Sequence, residues 1–392
     1  MKSPVKVWLA LMSALVVVVL ATSSRAAAQE FIYTANFADR TVSGFSFNPG
    51  NGRAKELPGS PFAAGTGPVG IAHSPDGRFL YVLLNDQVID RPCGVSNGEL
   101  LSYSINRKTG SLTLLEDHVL SGICSSAVTV DPSGKFVYAA SFPPDGPKVG
   151  IIDGFQNSKG HLLPLAGSPF ASPIEVPAGQ NPAIHSLVIT RNGAVMYASD
   201  PNNPAGILIV DRDTTTGGLT FRTAFNTGTD LGPLTMAPSG KFLLGMANLF
   251  FGAPGNGVYE FAIGKNGDLA PVPGSPFAGP NAGAGAAISI SPNGRFVSSA
   301  VVAGIDMFRR HERAQLTAVA GSPFGSGLPA AVAFDTTGRF ALIPGTVFRI
   351  NQRTGSLAKV SEFPDGAGGI AIDVVPSHHE RANRDGDKRT SD

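Results

Sequence analysis

Six copies of one short phrase run down this chain: Ser74-Pro75-Asp76-Gly77-Arg78-Phe79, Asp131-Pro132-Ser133-Gly134-Lys135-Phe136, Thr190-Arg191-Asn192-Gly193, Ala237-Pro238-Ser239-Gly240-Lys241-Phe242, Ser291-Pro292-Asn293-Gly294-Arg295-Phe296 and Asp335-Thr336-Thr337-Gly338-Arg339-Phe340. Their glycines are spaced by 57, 59, 47, 54 and 44 residues, the length of a four-stranded propeller blade. Proline followed by Asp, Asn or Ser and then Gly is β-turn chemistry, with Gly taking positive φ. Apolar runs flank each copy, such as Ile288-Ser289-Ile290 before one and Phe136-Val137-Tyr138-Ala139-Ala140 after another. The phrase therefore reads as a hairpin between two strands.

A second turn recurs seven times: Asn48 to Gly52, Asn106 to Gly110, Gln156 to Gly160, Arg212 to Gly217, Gly264 to Gly267, Arg309 to Arg313 and Asn351 to Gly355. Seven against six is resolved if the ring closes through a shared blade. Gly369 to Val375 would supply its innermost strand and Phe31-Ile32-Tyr33-Thr34 the next. The expectation is an all-β fold: a seven-bladed β-propeller of four-stranded antiparallel blades, closed by its N- and C-terminal strands.

The first residues carry Lys2 and Lys6, an apolar stretch from Val7 to Ala21, and Ala26-Ala27-Ala28 before Gln29. That is the three-part pattern of a cleaved secretory signal, and the stretch is short for a membrane span. We expect a signal peptide over 1–28, the propeller over 29–376 and a disordered polar tail over 377–392. The mature protein is expected to be exported, periplasmic or extracellular, with no membrane span once the signal is cut, and a monomer.

With 30 basic and 29 acidic side chains and a net charge of +1, the chain lacks the basic footprint of a nucleic-acid binder. Its 48 glycines and 31 prolines have no collagen-like period and fit many short strands joined by tight turns. The single tryptophan, Trp8, lies in the signal segment, which sets aside propellers built on tryptophan repeats. Two cysteines, Cys93 in a second-to-third-strand loop and Cys124 in the crossover to the next blade, emerge on the same face and are expected to form a disulfide.

Strand residues in a propeller are buried between blades, so chemistry is expected at the mouth of the central channel. The innermost strands start at Val69-Gly70, Ser125-Ser126, Ile184-His185-Ser186, Pro233-Leu234-Thr235, Ala286-Ala287, Ala330-Ala331 and Gly368-Gly369. Most of these residues are small or apolar, and only His185 titrates near neutral pH. Loops on the same face add Asn36, Asp39 and Arg40, then Asp86, Asp90 and Arg91, then Asp200 and Asn202, then Asp230; taken singly, each reads first as a solvated loop residue or an Asx-turn. Of these, Asn36, Asp39, Arg40, Asp200 and Asp230 are the candidate ligand-binding residues. His73 is placed on the opposite face, His311 in an outer hairpin, and His378-His379 in the tail. The sequence offers no zinc spacing, serine elbow or phosphate cradle, and no cofactor or metal is expected.

The hairpin phrase, Tyr33-Thr34-Ala35-Asn36, and Gly-Ser-Pro-Phe at 59–62, 167–170, 274–277 and 321–324 together resemble the seven-bladed propeller lactonases. That family includes bacterial 6-phosphogluconolactonases and overlaps with propellers named for a Tyr-Val-Thr-Asn motif. The resemblance spans about Glu30 to Pro376. It implies lactone hydrolysis and points to His185-Ser186, since the enzymes carry His-Ser at the start of an inner strand ahead of the turn phrase. One blade on, the family's Gly-Pro-Arg-His is here Gly232-Pro233-Leu234-Thr235, and a later Pro-Arg is Pro329-Ala330. With both arginines missing, the resemblance does not extend to a phosphorylated sugar lactone. Three readings stay open: a hydrolase of an uncharged or weakly polar lactone with His185 as base and Asp200 or Asp230 orienting it, an envelope or extracellular propeller that binds a carbohydrate, peptide or protein without catalysis, and a structural scaffold.

Overall fold

The computed structural model describes residues 29–85, 97–142, 149–175, 184–200, 206–247, 257–280, 285–311, 315–327, 329–364 and 369–377. The expected signal segment, Asp86, Asp90, Arg91, Cys93, Asn202 and His378-His379 lie outside the described residues. Among those described, regular structure is all strand, in seven antiparallel sheets of four principal strands. No described helix is long and apolar enough to cross a membrane.

The first blade joins the two ends of the chain, as the missing hairpin required. From the channel outwards its strands are Gly369–Pro376, Glu30–Asn36, Thr41–Asn48 and Arg53–Glu56. The C-terminal strand pairs antiparallel with the N-terminal one, Glu30 opposite Pro376 and Tyr33 opposite Asp373. The next blades follow in chain order, again from the channel outwards. The second is Pro68–His73, Phe79–Leu84, Glu99–Ile105 and Leu112–Val119; the third is Ile123–Val130, Phe136–Phe142, Ile151–Ser158 and His161–Pro164. The fourth is Ser186–Ile189, Val195–Asp200, Gly206–Arg212 and Leu219–Asn226; the fifth is Leu231–Met236, Phe242–Ala247, Val258–Ile263 and Leu269–Pro271. The sixth is Ala287–Ile290, Phe296–Val301, Gly304–Arg310 and Leu316–Ala318; the seventh is Ala333–Phe334, Phe340–Ile343, Thr346–Ile350 and Leu357–Glu362.

The six repeated phrases are the hairpins between first and second strands. Their leading Ser, Asp or Thr has a local cause. Its side-chain oxygen accepts the amide five residues on, as in Phe79 to Ser74 (3.0 Å), Phe136 to Asp131 (2.8 Å), Val195 to Thr190 (3.0 Å), Phe296 to Ser291 (2.9 Å) and Phe340 to Asp335 (2.7 Å). This bond satisfies a backbone donor where the ladder begins. Ala237 occupies that place in the fifth blade and has no such oxygen.

The second turn makes a notch between blades. A Cβ on its glycine would collide with the residue opening the second strand of the preceding blade: Phe31 at Gly110, Phe79 at Gly160, Phe136 at Gly217, Val195 at Gly267, Phe296 at Gly355 and Phe340 at Gly52. The last contact carries the seventh blade back to the first. At the remaining interface glycine is absent, and the Arg310 guanidinium lies over the Phe242 ring at 4.5 Å. Three buried tyrosines add a latch through the same turn, Tyr33 donating to the Gly110 carbonyl (2.6 Å), Tyr138 to Gly217 (2.7 Å) and Tyr197 to Gly267 (2.7 Å). Burial pushes the Tyr138 and Tyr197 phenols up to about 12, so they remain donors throughout the working pH range.

Gly217 tests this notch. Its φ is +78°, and a Cβ there would stand 2.5 Å from Phe136 Cδ1 and 2.8 Å from Leu165 Cδ1. Gly217→Ala is expected to destabilise the fold by about 2–4 kcal/mol, from left-handed backbone strain and overpacking together. Urea unfolding measures it, and a midpoint equal to that of the wild type would show that the interface relaxes freely.

The Gly-Ser-Pro-Phe phrase stitches each crossover back onto its own blade. Its serine oxygen accepts a third-strand amide at 2.9–3.0 Å, from Gly44, Gly154, Glu260 and Met307 in the four copies. Its phenylalanine then pairs with the same strand, at Val42, Ile152, Val258 and Ile305. The second and third strands are buried on both faces, whereas the innermost strands keep partial exposure along the channel.

Candidate functional site at the channel mouth

The inner strands begin at the mouth and end at the repeated hairpins, so the predicted site and the hairpins lie at opposite ends of the channel. His185 immediately precedes the inner strand of the fourth blade, and its amide donates to the Ser199 carbonyl at 2.9 Å. It is half-buried, and burial pushes its imidazole down to about 4. It is therefore neutral at physiological pH and able to accept a proton, though weakly.

Both neighbouring blades fix this segment. Ser126 of the third blade donates to the Ile184 carbonyl, one residue ahead of His185. On the other side the Ser186 hydroxyl accepts the Leu234 amide (3.2 Å), and the Ser199 hydroxyl donates to the Gly232 carbonyl. The His185-Ser186 motif thus abuts Gly232-Pro233-Leu234-Thr235, where the family pattern has its arginine and second histidine. The blade count had placed the two motifs at consecutive strand starts; the contact between them is set by the packing of the blades.

The remaining candidates scatter around the mouth. Asp230 directly precedes the inner strand of the fifth blade, and partial burial raises its carboxyl. Asp200 ends the second strand of the fourth blade, with its backbone paired to Gly206. Asp39 and Arg40 are exposed in the turn from Asn36 to Thr41; Arg40 has φ +58°, and its carbonyl accepts the Ala64 amide. Asn36 is fully buried in the second strand of the first blade, and its amide group donates to Thr41 and Ser43 at 3.0 and 2.8 Å. Both donors of that side chain are thus committed within its own blade.

Cys124 is not in the crossover. It lies in the inner strand Ile123–Val130 at φ +53°, beside the irregular pairing of Ala140 and Phe142, and it is disulfide-bonded. The strand begins earlier than the apolar pattern suggests because Ile123 still pairs with Phe142. His311 sits in the expected outer turn, within 2.7 Å of the Thr317 hydroxyl. Among the described residues no group of three or more His, Cys, Asp or Glu side chains is arranged to hold a metal.

One of the ionisable pairs that the sequence reading did not foresee lies on the innermost strands. His73 Nδ1 lies 2.7 Å from Asp373 Oδ2, at the hairpin end of the channel. The side chains remain 27% and 19% exposed, so the pair is deep but wet. The proposed closure already set these two inner strands side by side, and that was the available signal.

Seven four-stranded blades around a channel, closed by strands from the two ends of the chain, define a seven-bladed β-propeller. The chain belongs to the seven-bladed β-propeller lactonase family, whose model matches residues 31–373. Among solved structures it is similar to a candidate 6-phosphogluconolactonase from Bacteroides fragilis (TM-score 0.72, 19% identity, covering 90% of this chain and 99% of that one). It is also similar to one from Bacteroides uniformis (0.72, 22%, 88% and 99%) and to a periplasmic gluconolactonase from Pseudomonas aeruginosa (0.71, 17%, 88% and 99%). At these identities the likeness shows the fold. No curated protein matches the chain.

Proposed function

We propose that this chain is an exported hydrolase of an uncharged or weakly polar lactone, with His185 as general base. The observation that carries this reading is the placement of His185. It occupies the family's His-Ser position at the channel mouth and is neutral at pH 7. In the reaction His185 takes a proton from water as the water oxygen attacks the lactone carbonyl carbon. The tetrahedral intermediate then collapses with cleavage of the ring C–O bond, and the proton passes to the departing alkoxide, giving a hydroxy acid. An ester carbonyl is electrophilic enough to suit a weak base, and loop amides at the mouth would stabilise the oxyanion.

Substrate charge follows from what lines the mouth. Leu234 and Ala330 occupy positions where the family's arginines would grip an anion, which argues for a neutral ring over a phosphorylated one. Asp230, with its raised carboxyl, is the candidate to orient His185 or to bind a hydroxyl, alongside Asp200; Asp39 and Arg40 would contact the outer part of the ligand. The bonded Cys124, with Cys93 the only other cysteine, supports an oxidising compartment and hence export.

The test is acid release by the purified mature protein on neutral, acidic and phosphorylated lactones. Turnover confined to neutral rings is the expected result. Silence across the panel would overturn the hydrolase and favour the second reading, a non-catalytic binding propeller, which the small and apolar strand starts also suit.

A further inference from the structure

We infer that the first blade, which closes the ring, is clasped on both flanks by proton-dependent contacts, so that the closure tightens in acid and loosens above neutrality. The innermost strand of this blade, Gly369–Pro376, is held to its neighbour Glu30–Asn36 by strand pairing and by the shared cores of Val375 with Phe31 and Tyr33 and of Val374 with Ile32, with no hairpin joining the two. Its attachment to the flanking blades therefore bears directly on whether the ring stays shut.

On the flank facing the second blade, His73 meets Asp373 at 2.7 Å. Asp373 comes from the closing strand, and Asp76 stands in the turn following His73. Burial opposes the charged imidazolium, but the Asp373 carboxylate, with a further contribution from Asp76, raises the His73 pKa overall. Tyr33, opposite Asp373 in the sheet, is pushed up by burial first and by that carboxylate second. When His73 loses its proton, Asp373 faces a neutral ring with Asp76 nearby.

On the flank facing the seventh blade, Glu30 is 1% exposed, and its carboxyl accepts the Thr336 amide at 3.3 Å and the Thr336 hydroxyl. Asp335 and Arg339 are the charged neighbours, both from the hairpin that carries Thr336. Burial first, and Asp335 after the opposing Thr336 hydrogen bond, push the Glu30 carboxyl up to about 7. Deprotonation there places a second carboxylate beside Asp335 in a dry seam.

The signs agree. Both groups have folded-state pKa values above their unfolded values, so each contributes stability that is complete below its unfolded pKa. That stability is lost as pH rises through the folded pKa. Loss of the proton removes the positive charge between Asp373 and Asp76 at one clasp and adds a negative charge beside Asp335 at the other, and the window spans neutrality. Asp153, Asp230 and Glu260 are also raised by burial, so global stability alone cannot isolate the seam.

Blade-resolved hydrogen exchange isolates it. Protection of Phe31–Ala35 and Ile372–Val375 is measured relative to Val297–Ala300 and Ile305–Phe308 of the sixth blade, at about pH 5.5 and about pH 8. The expected result is a relative loss of about tenfold or more at the closing blade on going to the higher pH. In Glu30→Gln/His73→Gln that loss should vanish, and Asp373→Asn should remove the part due to His73. Equal pH dependence in all blades would overturn the inference, as would an undiminished loss in the double variant. If the double variant does not fold, the wild-type profile and Asp373→Asn decide by the same criteria.

Discussion

Arg212→Ala should destabilise the protein by about 3–5 kcal/mol, because it leaves a buried carboxylate without its cation. Arg212 ends the third strand of the fourth blade and reaches into the third blade. Its guanidinium and the Asp131 carboxylate are 1% and 3% exposed and 3.2 Å apart. The guanidinium also donates to the Tyr138 hydroxyl and the Gly193 carbonyl, both at 2.7 Å, and lies 4.9 Å from the centre of the Phe136 ring. One side chain thus ties together the repeated hairpin of its own blade, the tyrosine latch and the leading Asp of the neighbouring hairpin. Asp131 keeps its bonds to the Phe136 amide and the Ser133 hydroxyl, which limits the loss. Arg212→Met/Asp131→Asn should recover much of the stability, since an apolar stem against a neutral amide leaves no uncompensated charge. Urea unfolding of the single and double variants measures the coupling. A double variant as unstable as the sum of the singles would show that packing, and not charge, dominates.

His185→Ala should lower kcat/KM for the lactone turned over by about 10²–10⁴-fold, the usual contribution of a positioned general base. The fall should be in kcat; because the side chain is half-buried, the melting temperature of the variant is measured alongside to separate lost packing from lost chemistry. The pH profile supplies an independent check. A base must be unprotonated to act, and the His185 pKa is pushed down to about 4, so activity should be level through neutrality and fall only as pH drops through about 4. The same lowered value means that the folded state holds fewer protons than the unfolded one between the ordinary histidine pKa and about 4, so this residue costs stability on acidification, opposite in sign to His73 and Glu30. An acid limb near neutrality, or full activity in His185→Ala, would place the base elsewhere.

Much of the architecture is local chemistry and was readable as such. The Ser/Asp-Pro-x-Gly phrase marks hairpins because the leading oxygen, the proline and the left-handed glycine each meet a backbone need within six residues. The Gly-Ser-Pro-Phe phrase works over a short range too, its serine and phenylalanine both returning past the outermost strand to the third strand of the same blade. Counting six turns of one kind against seven of the other was enough to predict a blade shared by the chain ends. The position of Cys124 was misjudged because the inner strand of its blade extends through an irregular pairing that leaves no apolar alternation to read.

The sequence by itself determined the number of blades, the manner of closure and the prominence of His185, since each follows from a repeat or from a residue type at a fixed place within it. Only the tertiary structure decided what stands beside what across the blades. Ser186 against Leu234, Arg212 against Asp131, Glu30 against Thr336 and His73 against Asp373 join residues 48, 81, 306 and 300 positions apart. The physical reason is that blades meet through side chains packed face to face, and no local spacing rule records which side chain of one blade reaches a given side chain of the next.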